Sequence, residues 1–216
     1  MVESTSTQQA LRGLRSSDPD DAGRAADALY RSATAAQSVA DKDIGDALRH
    51  SVALGHLTAS AILLLGYLPG AEELLKKLAR ESGDARLKLH PWTDIVPLRL
   101  AARAALSRLG DRQEREALLQ SIPELDTAGR LFLLDIIAYI DAPEVWQALS
   151  DTMKDTREIR VDVPSGAPRR RVCDHAADAF LDRFGFKVSF DRKPGGRYAP
   201  SEIEEIQRAL HNSIPQ

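Results

Sequence analysis

The stretch Leu98 to Gly110, LRLAARAALSRLG, decides the fold, because its Ala-rich face and terminal glycine recur twice elsewhere in the chain. Aligned on the glycine, Ala101, Ala102, Ala104, Leu106, Arg108 and Gly110 match Ala176, Ala177, Ala179, Leu181, Arg183 and Gly185 at an offset of 75 residues. A third copy precedes both: AADAL at Ala25–Leu29 lies 151 residues before AADAF at Ala176–Phe180. Small side chains let one helix backbone come close to its neighbour, and leucines or aromatics one turn later fill the remaining gap. Each copy therefore reads as an inner helix of a stack.

Half of that offset falls within the roughly 20–50-residue period of helical solenoids. Two weaker intervening copies are ASAILLLG (Ala59–Gly66) and LLDIIAYID (Leu133–Asp141). The segment PLRLAARAALSRLGD (Pro97–Asp111) resembles the second helix of the HEAT-repeat family, with its proline, apolar-Arg pair, Ala pair, leucine and Gly-Asp turn. The resemblance covers about residues 18 to 185 and is carried next best by Arg171–Gly185. It implies an all-α fold, a short HEAT-like α-solenoid of stacked antiparallel helices that offers a preformed groove to another protein. We expect one domain over residues 1–216. Residues 1–16 form a capping helix, 18–185 the repeats with a strand insertion at about 157–168, and 186–216 a strand, a loop and a C-terminal capping helix.

Composition agrees with a packed chain: 43% hydrophobic and 28% charged residues are globular values, and 5% aromatic calls for an aliphatic core. A formal net charge of −3 and a pI near 6.0 supply no global field toward DNA or an anionic membrane. MVESTSTQQALRGL has neither the basic nor the apolar region of a signal peptide, and the apolar run Leu57–Leu68 is too short to span a bilayer. One cysteine makes no internal disulfide, so the expected location is the cytoplasm.

Along the chain, Asp18 or Asp20 is placed to cap the second helix, with Pro19 beside it. His90, Pro91 and Trp92 read as a loop leading to Thr93 or Asp94 as the next cap. Asp126 or Thr127 starts an apolar helix through Ile140, and Pro143 begins another through Met153. Alternation at Ile159, Val161 and Val163, and again at Phe186, Val188 and Phe190, predicts a small strand pair or hairpin near the C-terminus. Pro200, with Ser201 and Glu204 in capping-box spacing, opens a last helix striped by Ile203, Ile206 and Leu210.

The most unusual local feature is Arg169, Arg170 and Arg171 at the start of a helix, where cations oppose the helix dipole and need compensation. The compensation is either internal pairing with Asp155, Glu158 or Asp162, or a site for an acidic partner or phosphate, which arginine forks suit. Asp174 is placed to pair with a neighbouring arginine. Cys173 and His175, two apart on a helix, point to different faces and form no nucleophile pair; Cys173 belongs with the buried Ala176, Ala177 and Phe180. Arg99 and Arg103 share a helix face, and with Trp92 they could line a concave surface for an acidic protein. Lys193–Arg197 is a basic glycine turn without Walker spacing. No HExxH, CxxC or His/carboxylate cluster calls for a metal, and nothing calls for a cofactor.

The expected function is a non-catalytic protein-protein interaction module, a scaffold, adaptor or inhibitor, with Arg169, Arg170, Arg171, Asp174, Arg99, Arg103 and Trp92 as the partner-binding residues. RRRVCDHAADAFLDRFG, with the short Phe-containing run, basic loop and terminal helix after it, also resembles the ends of small bacterial HEAT-like immunity proteins that neutralise a toxin. Nucleic-acid binding of the kind seen in HEAT-like DNA glycosylases is disfavoured by the negative charge. An enzyme would need a site assembled from distant residues, with Arg169, Asp174 and His175 as its members. The oligomeric state is left open.

Overall fold

The computed structural model of the chain describes residues 2–32, 34–81, 85–88, 95–159 and 169–213. Among these the chain is mostly helical, with twelve α-helices and one two-stranded sheet. It forms two compact units, Met1–Leu118 and Leu119–Gln216.

The first unit contains α1 (Val2–Leu14), α2 (Pro19–Tyr30), α3 (Ala35–Ala40), α4 (Lys42–Ala53), α5 (Ala59–Leu65), α6 (Glu72–Glu81), β1 (Arg86–Lys88), β2 (Ile95–Pro97), α7 (Leu98–Arg108) and the first turns of α8 (Arg112–Ser121). Short polar side chains start these helices by accepting amides the helix leaves unpaired. Asp18 accepts from Asp20 N at 2.9 Å, Asp41 from Asp43 N at 2.9 Å, and Thr58 from Ala61 N at 3.1 Å. Helix α1 packs on α2 and α4, α5 packs on both α2 and α7, and α6 packs on α7. All seven residues of α5 are buried, as its sequence ASAILLL, apolar but for Ser60, requires. Gly13 is where α1 meets α2: a Cβ there would stand 2.5 Å from Ala25 Cβ, so only glycine allows the approach.

The sheet lies here and not near the C-terminus. Strand β1 pairs antiparallel with β2, Leu87 opposite Val96, and both side chains are buried. Because β2 runs to Pro97, α7 begins directly at Leu98 without a side-chain cap, and neither Thr93 nor Asp94 starts it. The loop expected at His90–Trp92 lies outside the described residues.

The second unit contains a 3-10 turn (Ile122–Glu124), α9 (Thr127–Asp135), α10 (Pro143–Ser150), a 3-10 turn (Asp151–Lys154), α11 (Val172–Phe184) and α12 (Pro200–Ser213). Asp126 caps α9, accepting from Gly129 N at 2.8 Å. Helix α9 stops at Asp135, short of Ile140. Ile136, Ile137 and Ile140 are still buried, in turns whose carbonyls are partly satisfied by Trp146: its indole Nε1 donates to Ile140 O at 2.8 Å and to Ile137 O at 3.3 Å. Helix α11 is central: it packs against α9, the Asp151–Lys154 turn and α12. It ends at Gly185 with φ 62°, as α7 is followed by Gly110 with φ 92°, both in the left-handed region that favours glycine after a helix.

The expected C-terminal strand pair does not form among the described residues. One isolated antiparallel bridge joins Glu158 to Arg171, and residues 160–168 lie outside the described set. The run from Phe186 to Phe190 is irregular because its apolar side chains find aromatic partners on helices and loops. Phe186 stacks on Phe184 at 5.1 Å, and Phe190 meets Tyr198 edge-on at 5.8 Å. The Ser189 amide, which a ladder would need, donates to the Glu205 carboxylate at 2.6 Å. In α12 the apolar stripe Ile203, Ile206 and Leu210 is buried, but the start differs: Glu202, not Glu204, reaches back to accept from Ala199 N at 2.6 Å.

Candidate functional site

In each of the three matched helices the alanines leave room for one charged residue in their midst, and that residue ties the helix to its neighbours. Asp27 of α2 accepts from Ser60 Oγ of α5 at 2.5 Å and pairs with Arg31 at 3.0 Å. Arg103 of α7 pairs with Glu114 of α8 at 3.3 Å and donates to Ala117 O at 3.4 Å. Asp178 of α11 accepts from Tyr198 Oη at 2.7 Å and Gly195 N at 2.9 Å, and it pairs with Arg170.

Arg170 and Arg171 are compensated by carboxylates of α11 itself and not by those of the segment before it. Arg171 holds Asp174 in a fork, Nε at 2.9 Å and Nη2 at 2.7 Å, and its amide donates to the same carboxylate at 2.9 Å. Asp174 also accepts from Tyr198 N at 3.0 Å and is 0% exposed. Burial pushes this carboxyl up, but the Arg171 fork and the amides of Tyr198 and Arg171 outweigh it and hold the group below the usual carboxylate range. The expected partners are used elsewhere: Asp155 pairs with Arg157 at 2.5 Å, Glu158 with Arg197 at 3.9 Å, and Asp162 lies outside the described residues. Arg169 is exposed and makes no ion pair among the described residues.

Arg170 and Asp178 also line a cleft of about 350 Å³ between α9 and α11. Its apolar floor is Leu134, Ile137, Ala138 and Ala179, and its walls carry Asp135, His175, Asp182 and Arg183. Each ionic side chain in it has an ion-pair partner, while Nε of Arg170 and of Arg183 is buried without an acceptor among the described residues. His175 Nε2 donates to Asp135 Oδ1 at 2.6 Å, Arg183 donates to Asp141 at 2.7 Å with its guanidinium 4.7 Å over the Trp146 ring, and Asp182 is held by Arg192. The rim carboxylates stay accessible, Asp135 at 44% and Asp182 at 71% exposure.

Of the residues expected to bind a partner, the cleft gathers only Arg170. Arg171 and Asp174 are committed to each other, Arg99 donates to Ala79 O at 3.3 Å and Arg103 to α8 within the first unit, and Trp92 lies outside the described residues. Asp135, His175, Asp178, Asp182 and Arg183 stand in the cleft without having been expected to meet a partner. The spacing of His175, Asp178 and Asp182 on one face of α11 is a usable sequence signal; the α9 partner, 40 residues away from His175, has none.

Chemically the cleft is pre-paired. His175 uses Nε2, its atom farthest from the main chain, on Asp135. Cys173 is buried, and burial pushes its thiol up, so it is a poor nucleophile. The Gly195 amide, which could have met a phosphate, donates to Asp178. No group of three His, Cys, Asp or Glu side chains among the described residues could hold a metal ion. A larger hollow of about 610 Å³ between α1, α2 and α3 is lined by Ala10, Gly13, Ala25 and hydroxyl groups, with its Arg24 and Asp21 already paired; it gathers no comparable set of titratable groups.

Fold and cleft together define a mostly helical protein with an ionic cleft in its second unit. No protein-family model, no curated protein and no solved structure matches the chain significantly. No helix among the described residues is long and apolar enough to cross a membrane.

Proposed function

We propose that the chain is a non-catalytic protein-binding module of HEAT-like helix pairs that presents the α9–α11 cleft to a protein partner. In the first unit the neighbour relations favour this reading: α1 with α2, α4 with α5 and α6 with α7 are sequential pairs, and α2, α5 and α7 adjoin in that order, as successive inner helices of a HEAT-like stack would. The observation that carries the functional part is the cleft itself. Its ionic groups are held by ion pairs, among themselves and to Asp141 and Arg192, its rim carboxylates are open to solvent, and the nearby cysteine is buried. Such a surface recognises complementary charge without reorganising.

The test is comparative capture from native lysate after nuclease treatment, with wild type against the double variant Asp135→Lys, Asp182→Lys. Both positions are solvent-accessible, so the variant is expected to fold, which circular dichroism checks. A protein retained by wild type and lost by the variant is expected; equal recovery, or no partner for either, overturns the proposal. Reversing the whole arginine triplet is a poorer test because it breaks the buried Asp174 pairing. Arg169→Glu alone probes that patch cleanly.

A further inference from the structure

The segment from Arg192 to Tyr198 lies against α11 and is fastened to it through side chains of the helix and of its N-cap Arg171. Outward, Lys193 pairs with Glu202 of α12 at 2.7 Å and Arg197 with Glu158 at 3.9 Å, both exposed ion pairs that salt weakens. Gly195 N and Tyr198 Oη donate to Asp178, Tyr198 N donates to Asp174, Tyr198 O accepts from Arg171 Nη2 at 2.6 Å, and Arg192 holds Asp182. The segment also closes on itself: Lys193 N donates to Tyr198 Oη at 3.2 Å and Gly196 N to Lys193 O at 2.7 Å. Apart from Tyr198, which is buried, its residues are exposed or half-buried, and they include Pro194, Gly195 and Gly196. A segment with one buried side chain and no backbone ladder has the features of a unit that opens locally while the helix beneath stays folded. Two of the carboxylates it grips, Asp178 and Asp182, are walls of the α9–α11 cleft.

We propose that Arg192–Tyr198 is a releasable strap that opens as one unit and, on opening, unmasks the Asp178 and Asp182 carboxylates of the cleft. Docked, it keeps Arg192 on Asp182 and two donors on Asp178. Released, it removes a positive charge from the rim and leaves Asp178 with Arg170 as its remaining partner, so the cleft becomes more anionic. The inference rests on the reading of that cleft as the binding surface, but the strap is testable without any partner.

The variant Tyr198→Phe keeps the ring and removes only the hydroxyl, hence the donor to Asp178 and the acceptor for Lys193 N. Hydrogen exchange should show the amides of Lys193, Gly195 and Gly196 exchanging about tenfold or more faster than in wild type, while those of Ala176–Phe180 in α11 keep their protection. Carboxyl ¹³C resonances supply the second readout. Asp182 bonds Arg192 and not Tyr198, so its resonance moves in Tyr198→Phe only if the strap opens as a unit. Movement of Asp178 alone, or strap amides that exchange at the α11 rate in wild type, overturns the proposal. Arg192→Ala, at an exposed position, should likewise speed exchange at Gly195; unchanged exchange there argues against a single unit. Failure of the capture experiment with these results intact would remove the binding role and leave the strap standing.

Discussion

Helices α7 and α11 carry the same small-residue pattern, yet at two corresponding positions one has Arg99 and Arg103 and the other Asp174 and Asp178. The sign follows what lies opposite. The arginines of α7 donate to Ala79 O in the last turn of α6 and to Ala117 O in α8, carbonyls in the half of each helix where partial negative charge gathers. The aspartates of α11 accept amides from a loop, Tyr198 N and Gly195 N. A charged residue in an alanine face is thus a cross-link whose sign matches the backbone and side-chain groups opposite it: Glu114 and two carbonyls face the arginines of α7, whereas loop amides, Tyr198 Oη, Arg170 and Arg171 face the aspartates of α11. The depth of the cross-link differs as well: Asp174 is fully buried, whereas the Arg103 side chain is 25% exposed.

That difference sets the largest expected effect. Asp174→Ala strips Arg171 of its fork and leaves buried donors unmatched, and should cost about 3–5 kcal/mol, whereas Arg103→Ala should cost about 1 kcal/mol. Urea denaturation of both variants measures the gap; equal losses would break the comparison. A next step sharpens it from the packing side. Ala102 and Ala177 occupy matched, fully buried positions, and Leu at either should overpack by about 1–3 kcal/mol. If the two helices are true counterparts, the two losses in thermal stability should agree closely.

Acid should also separate the helices. Asp174 titrates below the ordinary carboxylate range in the folded chain, so its contribution is complete above the unfolded value and is lost as pH falls through the folded one, while the bonds of Arg99 and Arg103 to backbone carbonyls do not titrate. Hydrogen exchange at low pH should therefore loosen α11 before α7; the reverse order would contradict the assignment. At the alkaline end, burial and then the bond to Asp178 push the Tyr198 phenol up to about 12. Its contribution holds below the ordinary tyrosine value and disappears as pH rises through about 12. The difference between ultraviolet titrations of wild type and Tyr198→Phe should show this phenol ionising well above the ordinary tyrosine value. The smallest effect belongs to Arg169→Glu, at an exposed position with no ion pair among the described residues, which should change stability by less than about 0.5 kcal/mol.

Local signals were legible in the sequence. Asp18 and Asp126 start helices, Gly110 and Gly185 come after them with positive φ, and the alanines at 101, 102, 176 and 177 are buried, because capping chemistry and small-residue faces act within a few residues. Features that depend on distant partners were not. Alternation at Phe186, Val188 and Phe190 suggested a strand, but aromatic stacking on Phe184 and Tyr198 absorbed the apolar side chains. Arg170 has its counter-ion eight residues on, one turn deeper into the helix than local rules search, and Asp135 meets His175 across 40 residues. The buried turn after Asp135 depends on an indole contributed by α10.

That indole has a spectroscopic consequence. The chain has two tryptophans, Trp92 within the first unit's stretch of sequence and Trp146 in the second unit. Trp146 is 7% exposed, hydrogen-bonded, and lies against the Phe184 ring and the Arg183 cation. With Trp92 replaced by Phe, its emission reports the second unit alone. Comparing that signal with the helical circular dichroism of the whole chain through one denaturation would tell whether the two units melt together or one after the other.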